Sequence, residues 1–239
     1  MGMEFLTAST THVGLKRKIN EDNLLNHVEA SVRVVADGMG GHEAGEVASA
    51  RLVEALATLS AVRSIDETAD EAERLVQQVN RELLELAQGS LTPRTIGSTV
   101  VVLAVRGSEY RCLWAGDSRC YLVRDRQITQ VSHDHSLVDD LVRSGMLSRE
   151  EAAHHPDANV ITRAVGATRE LRIDRAKGQV LSGDHFLLAS DGVTRVVSDA
   201  ELSELVASRN PAQAVQEIQS IVLSRGAPDN LTCIIIRVL

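Results

Sequence analysis

The sequence predicts an α+β fold with a central β-sandwich of two mainly antiparallel sheets flanked by pairs of helices, in αββα layers. Three observations support this prediction. Strand-like runs, a helix pair, more strands, a second helix pair and a final strand follow one another, unlike strict βαβ alternation. Each long helix has one apolar stripe, and the strands are numerous enough for two sheets. Aromatic residues make up only 2% of the 239 residues, so we expect a core of Val, Leu, Ile and Ala.

The individual elements follow from their periodicity and composition. Apolar and β-branched runs predict strands at residues 5–11, 24–28, 31–36, 98–106, 109–115, 119–124, 127–131, 171–190 and 231–239. Apolar stripes at helical spacing predict helices at residues 44–59, 65–87, 199–208 and 211–224, with two short helices within 136–154. Ser64 and Glu67 have capping-box spacing at the start of the second long helix.

Composition limits the classes of partner. Because no low-complexity linker or solenoid repeat interrupts the chain, we expect one domain over residues 1–239. The formal charge of −8 argues against nucleic acid and against anionic lipid as partners. Neither a signal peptide nor an apolar run long enough to span a bilayer is evident, so a cytoplasmic protein without a membrane partner is expected. Three cysteines without a C-x-x-C pattern predict buried free thiols at Cys112, Cys120 and Cys233.

Four aspartates stand at the ends of predicted strands: Asp37, Asp117, Asp191 and Asp229. One Asp-Gly pair is an ordinary turn signal, and "VVADGMGGH" at 34–42 taken alone is such a turn. Four carboxylates that converge would repel one another and would need a cation to neutralise them. Hard oxygen ligands select Mg²⁺ or Mn²⁺, and a glycine beside the ligand lets a backbone carbonyl approach the ion. The pattern leaves the turn and the metal site as alternatives that convergence in space would decide.

Seven motifs occur in a fixed order along the chain. They are "GLKRKINEDNLL" at 14–25, "VADGMGGHEAGEVAS" at 35–49, "IGSTVV" at 96–101, "WAGDSRCYLVRDRQITQVSHDHS" at 114–136, "HPDANVITRAVG" at 155–166, "LLASDGV" at 187–193 and "APDNLT" at 227–232. Together they resemble the metal-dependent protein serine/threonine phosphatases of type 2C, in their compact bacterial form, over essentially the whole chain.

This resemblance implies metal-binding roles for five residues, matched position by position. Asp37 would bridge two Mn²⁺ or Mg²⁺ ions, and the carbonyl of Gly38 would bind the second of them. Asp191 and Asp229 would complete the protein ligands of the first ion. Asp117, together with Asp191, would hold a third ion.

It also implies roles for residues near the start of the chain. Arg17 would grip the substrate phosphate, and Glu21 and Asp22 would orient water bound to the metals. A guanidinium suits phosphate because it can donate two parallel hydrogen bonds, although "KRK" is also typical of an exposed basic cluster. Some family members have a histidine as a proposed general acid where this chain has Met39, and the nearby His42 is not the matching residue.

The function implied is Mg²⁺/Mn²⁺-dependent hydrolysis of phosphoserine and phosphothreonine in proteins by metal-activated water. Two divalent ions roughly 3.5–4 Å apart can lower the pKa of a bridging water and clamp the phosphoryl group. The partners implied are phosphorylated proteins, among them a bacterial Ser/Thr kinase and its substrates, and a monomer is expected. Residues 137–165 correspond to a mobile flap beside the metal site in the family, or simply to a packed helical hairpin.

Two other functions compete with this one. A pseudophosphatase would bind phosphoproteins without catalysis, but a scaffold has no need to keep Asp37, Asp191, Asp229 and Arg17. A two-metal nuclease is disfavoured by the negative charge, whereas a phosphoesterase for small metabolites stays open.

Two local patterns suggest other chemistry. Cys120 to Arg126 fits C-x₅-R, but a strand running into a hairpin offers no phosphate-binding loop, so a thiolate phosphatase is rejected. "HDH" at 133–135 and "HH" at 154–155 lack the usual ligand spacing of zinc sites, so ordinary hydrogen-bonding or exposed histidines are favoured.

Overall fold

Two antiparallel sheets form the centre of the computed structural model, which describes residues 3–40, 44–60, 64–89, 95–153 and 155–239. One sheet has the order β1-β11-β10-β7-β8, and the other has the order β2-β3-β5-β6-β9 with β4 paired to β3. The strands are β1 Phe5–His12, β2 Asp22–His27, β3 Val32–Met39, β4 Gly97–Ser98, β5 Val100–Arg106, β6 Glu109–Ala115, β7 Arg119–Arg124, β8 Gln127–Gln130, β9 Asp174–Gln179, β10 His185–Ala189 and β11 Leu231–Val238. The predicted α+β sandwich is confirmed.

Helices cover the outer face of each sheet. The helices are α1 Ala44–Leu56, α2 Ile65–Gln88, α3 Leu137–Arg143, α4 Arg149–Ala153, α5 Asp191–Thr194, α6 Asp199–Ser208 and α7 Pro211–Ser224. The pair α1 and α2 packs on the six-stranded sheet, and α6 and α7 pack on the five-stranded sheet. The capping box predicted at the start of α2 is present, because Ser64 and Glu67 exchange side-chain and backbone hydrogen bonds. No helix in these described ranges is long and apolar enough to cross a membrane.

Three apolar layers hold the sandwich together. Two lie between a sheet and its helices, and the third lies between the sheets. The inter-sheet layer contains the ring of Phe186, which is fully buried and meets Tyr110 edge-on with the ring centroids 5.2 Å apart. Cys112 and Cys120 belong to this layer and Cys233 to the layer under α6 and α7, so the prediction of buried free thiols is confirmed.

The predicted strand at residues 171–190 is wrong as a single element. β9 is an edge strand of the six-stranded sheet with alternating exposure, whereas β10 is a fully buried central strand of the other sheet. The chain crosses between the sheets at Gly183, whose φ of +90° is a conformation that glycine adopts readily. Thr99 likewise divides the predicted strand 98–106 into β4 and β5.

The hairpin between β7 and β8 explains why the C-x₅-R pattern is not a catalytic loop. Cys120 is buried inside β7, and Asp125 and Arg126 form the turn with φ of 51° and 61°. Positive φ at both central residues is the signature of a type I′ hairpin turn. Arg126 there pairs with Glu204 on α6, away from the thiol.

We expect Phe186→Ala to lower the free energy of unfolding by about 3–5 kcal/mol, because it leaves a cavity between the sheets. Leu181→Ala is the matched control, since that side chain is 51% exposed and its truncation should change the free energy by less than about 0.5 kcal/mol. Urea unfolding followed by circular dichroism measures both. Equal losses for the two variants would contradict the assigned inter-sheet core.

Candidate active site

Strand ends from both sheets bring five aspartates to one edge of the sandwich. In the antiparallel register of β2 and β3, Asp22 lies directly opposite Asp37. The other three come from the same edge: Asp117 between β6 and β7, Asp191 two residues after β10 at the start of α5, and Asp229 two residues before β11. The carboxyl groups of Asp37 and Asp191 lie close enough for each to shift the pKa of the other. The convergence that the sequence left open is therefore present.

Burial and mutual repulsion disfavour the charged forms of Asp22, Asp37, Asp117 and Asp191. Burial, followed by the neighbouring charges of Asp22 and Asp191, raises the pKa of Asp37 well above its ordinary value. Burial raises the pKa of Asp22 to about 7, and burial together with the charge of Asp191 raises the pKa of Asp117 to about 6. The cluster thus holds more negative charge than the protein around it neutralises.

The donor set fits hard divalent cations. Carboxylate oxygens and backbone carbonyls are the ligands that Mg²⁺ and Mn²⁺ prefer. The Oδ1 atoms of Asp22 and Asp117 are buried and have no hydrogen-bond partner among the described residues. Buried polar atoms are normally paired, so two orphaned carboxylate oxygens beside other carboxylates point to a missing positive partner.

Close backbone packing fixes the end of β3. A Cβ atom placed on Gly38 would lie 2.1 Å from the carbonyl oxygen of Gly45 at the start of α1. The Gly38 N–H donates to the carbonyl of Glu21 at 3.1 Å, and the Glu21 carboxylate accepts a hydrogen bond from the Gly45 backbone. Glycine is therefore required at this position to let β3, α1 and the Glu21 segment meet.

Three polar residues that the sequence analysis missed hold the aspartate-bearing segments. The Thr99 hydroxyl accepts from the Asp37 N–H at 3.1 Å. The Ser190 hydroxyl donates to Asp22 Oδ2 at 2.8 Å, and the Asn230 side chain accepts from the Glu21 N–H at 2.9 Å. Each bond joins segments far apart in sequence, so no local pattern identifies these partners.

Two arginines reach the cluster. Arg17 Nη2 lies 2.8 Å from Asp229 Oδ2, and its side chain is 52% exposed at the mouth of the site. Arg195, which the sequence analysis did not single out, pairs with both Asp117 and Asp191. Met39 ends β3 opposite Gly97, and its side chain lies against that glycine. His42 is outside the described residues.

Comparison with known proteins places this geometry in a family. The family model for protein phosphatase 2C matches residues 14–234. The chain belongs to the protein phosphatase 2C family. The chain is 34% identical over 234 residues to the serine/threonine phosphatase Stp of Listeria innocua, covering 95% of this chain and 93% of that protein.

Solved structures agree with this assignment. The chain superimposes on PppA, a regulatory component of the T6SS in Pseudomonas aeruginosa, with a TM-score of 0.90 at 39% identity, covering 100% of this chain and 99% of PppA. It superimposes on the catalytic domain of the phosphatase PstP in complex with two manganese ions with a TM-score of 0.88 at 30% identity, covering 99% of each chain.

Next to the aspartate cluster of this phosphatase 2C family member lies a helical insert, defined here as residues 137–165 and containing α3 and α4. Isolated bridges attach the insert at both ends, from Ser136 to Ile161 and from Ser98 to Val165. A cavity of about 380 Å³ separates the insert from the cluster, and its walls include Asp117, Asp191, Arg195, Val138, Val142 and Asn159.

At the base of the insert, the carboxylate of Asp174 on β9 collects four donors. His133 Nε2 and His135 Nε2 lie 3.1 and 3.3 Å from Asp174 Oδ2, while Arg163 Nη1 and Arg172 Nε lie 2.8 and 3.4 Å from Oδ1. These histidines have the hydrogen-bonding role that the sequence analysis favoured over zinc. His154 is outside the described residues.

Two contacts explain why this histidine pair is a poor metal site, although three ligand atoms from His133, His135 and Asp174 lie within 4.8 Å of one another. The Nδ1 atom of His135 accepts from the Gly116 N–H at 3.1 Å, so the neutral ring carries its proton on Nε2 and has no lone pair there for a metal. The guanidinium of Arg163 also lies 3.0 Å from that Nε2 atom. The indole of Trp114 covers both rings.

We expect Gly192→Ala to lower the free energy of unfolding by about 1–3 kcal/mol, a typical cost of overpacking. The added Cβ would lie 1.8 Å from the Asn230 carbonyl oxygen, where the segment carrying Asp191 packs on the segment carrying Asp229. Gly89→Ala is the control, because φ there is −72° and the nearest atom lies 3.5 Å from the added Cβ. Comparable urea denaturation midpoints for both variants would show that the close approach at Gly192 is not needed.

Proposed function

We propose that this protein is a Mg²⁺/Mn²⁺-dependent phosphatase that hydrolyses phosphoserine and phosphothreonine in proteins. The observation that carries the proposal is the meeting of Asp37, Asp191 and Asp229 from different strand ends, with Arg17 at the mouth. Membership of the phosphatase 2C family supports the reaction class.

In this proposal, three carboxylates and one carbonyl hold two core ions. Asp37 would be shared by both ions, Asp191 and Asp229 would serve the first ion, and the Gly38 carbonyl would serve the second. When bound, two divalent ions supply Lewis acidity that activates water and stabilises charge on the phosphoryl group. The two manganese ions of the PstP catalytic domain are a precedent for such a pair in a structural relative.

Arg17 receives the substrate in this scheme. Its guanidinium can donate two parallel hydrogen bonds to phosphate oxygens, and its exposed side chain can reach an incoming phosphoprotein. Its ion pair with Asp229 fixes the guanidinium beside the proposed first ion. Substrate phosphate therefore binds between the arginine and the carboxylate cluster.

Glu21 and Asp22 have supporting roles as acceptors for water. Burial raises the pKa of Glu21, and the Gly45 N–H holds its carboxylate at the start of α1. Ser190 fixes one oxygen of Asp22 and leaves the other unpaired. Met39 offers no proton donor, so leaving-group protonation falls to water in this proposal.

The physiological substrates proposed are phosphorylated proteins, among them a bacterial Ser/Thr kinase and its targets, acted on in the cytoplasm by a monomeric enzyme. Relatives that are named serine/threonine phosphatases favour proteins as the substrates. A phosphoesterase for small metabolites is the second candidate, favoured by an open site that small phosphoesters can also reach.

The first experiment tests for metal-dependent turnover. We expect hydrolysis of p-nitrophenyl phosphate to need Mn²⁺ and to stop with excess chelator. Asp37→Asn should lower kcat/KM at least about 100-fold. Mutating residues that only hydrogen-bond to metal ligands typically lowers metal affinity or activity 10–100-fold, and Asp37 is itself a proposed ligand. It should not lower the unfolding midpoint of the metal-free protein, because it removes a repelling buried carboxylate.

Asp125→Asn is the matched control for that substitution. Asp125 sits at a hairpin turn with positive φ, which asparagine also tolerates, and lies far from the cluster in the β7–β8 connection. Turnover that persists in chelator would contradict the metal mechanism. Calorimetry without Mn²⁺ binding would instead favour a pseudophosphatase, and faster turnover of sugar phosphates than of phosphopeptides would favour the metabolite phosphoesterase.

A further inference from the structure

One arginine nitrogen bridges two acidic residues at the wall of the active-site cavity. Arg195 Nη2 lies 3.0 Å from Asp117 Oδ2 and 3.1 Å from Asp191 Oδ2. The Asp117 side chain is 5% exposed and the Asp191 side chain 17% exposed, so water screens this contact weakly. These are the two carboxylates to which the family resemblance assigns a third divalent ion.

Local backbone geometry sets the position of this guanidinium. Arg195 follows Asp191 by four residues across the single turn of α5, and its N–H donates to the Asp191 carbonyl at 2.9 Å. Residues four apart on a helical turn face the same side, which directs the arginine toward the aspartate. The other terminal nitrogen, Nη1, donates to Asn159 Oδ1 in the helical insert.

We propose that Arg195 is a built-in cation that takes the place of a third divalent ion between Asp117 and Asp191. An ion of this kind binds carboxylate oxygens at about 2.0–2.6 Å. An ion bridging the same two Oδ2 atoms would overlap the volume that Nη2 now fills. Because the guanidinium is part of the chain itself, its competition with a third ion is permanent.

Arg195 also contacts the helical insert. Through Nη1 the same guanidinium links the acidic pair to Asn159. A hydrated ion would not make this fixed, directional bond to the insert. Arg195 therefore serves as a positioning residue that ties residues near 159 to the edge of the metal centre.

This inference rests on the proposed two-ion centre, which it leaves intact. The ion pair with Arg195 engages Oδ2 of Asp191. Asp37 and Asp229 have no contact with Arg195 in the described hydrogen bonds and ion pairs. We thus expect two bound ions per chain where the family resemblance predicts three.

Ion counting tests the first part. Equilibrium dialysis against Mn²⁺, with free Mn²⁺ measured by electron paramagnetic resonance, should give two ions per wild-type chain. Arg195→Ala and Arg195→Met should each bind a third ion, at least about tenfold more tightly than any third ion in the wild type. The methionine variant keeps the packing of the arginine stem, so a folding defect confined to the alanine variant does not decide the result.

Two controls test whether the third ion binds at the position that Arg195 occupies. Arg149→Ala removes the same net charge from another exposed arginine that lines the cavity, and it should still bind two ions. Adding Asp117→Asn to Arg195→Met should abolish the third ion, because the vacated position then has one carboxylate instead of two.

A second measurement addresses the link to the insert. Asn159→Ala keeps the cation in place, so it should retain two ions while amide exchange of residues 155–162 becomes at least several-fold faster. Unchanged exchange in that variant would contradict the positioning role.

The role of Arg195 and the proposed two-ion centre would fail in different ways. Three ions in the wild type, or two in both arginine variants, would overturn the role of Arg195 without touching the proposed function. A wild-type chain that binds no Mn²⁺ would overturn the two-ion centre and this inference together.

Discussion

Repulsion among carboxylates that the fold forces together is the constraint on which this molecule depends. Asp22, Asp37, Asp117, Asp191 and Asp229 meet at one edge of the sandwich, and burial disfavours the charged forms of the first four. No such cluster would persist on a pliable chain, because its members would separate into water. The apolar layer between the two sheets keeps the strand ends in place. The packed core therefore holds together the carboxylates that give this edge its chemistry.

Hydrogen bonds from the side chains of Ser190, Thr99 and Asn230 join the segments that carry the acids. Ser190 bonds β2 to the end of β10, Thr99 bonds to the end of β3, and Asn230 bonds to the Glu21 segment. The bonds made by Thr99 and Asn230 engage backbone N–H groups and use no carboxylate oxygen. The two arginines that reach the cluster pair with different carboxylates, Arg17 with Asp229 and Arg195 with Asp117 and Asp191.

Much of the fold could be predicted from local signals. Helical periodicity located α1, α2, α6 and α7, and the Ser64–Glu67 spacing identified the start of α2. Strand-end aspartates beside glycines identified the edge where they meet. The division of 171–190 between two sheets could not be predicted, since strand propensity does not say which sheet a strand joins.

Partners of the acids were harder to predict, because they depend on tertiary structure. Arg195 lies 78 residues from Asp117, so no window of sequence contains the pair. The i,i+4 spacing of Asp191 and Arg195 is visible in the sequence. Only the structure shows that α5 directs both side chains toward the cavity. Ser190 and Thr99 are common residue types in common positions, and their partners are defined by how the two sheets pack and by strand pairing within a sheet.

The single tryptophan has a practical consequence for this family member. Trp114 Nε1 donates to the His133 carbonyl at 2.8 Å, and its ring stacks on His135 and meets His133 edge-on. With one indole in the chain, intrinsic fluorescence reports on a single location, the junction where the helical insert joins the sandwich. Its emission is therefore an optical probe of the contact between the sandwich and the insert, readable in the unlabelled protein.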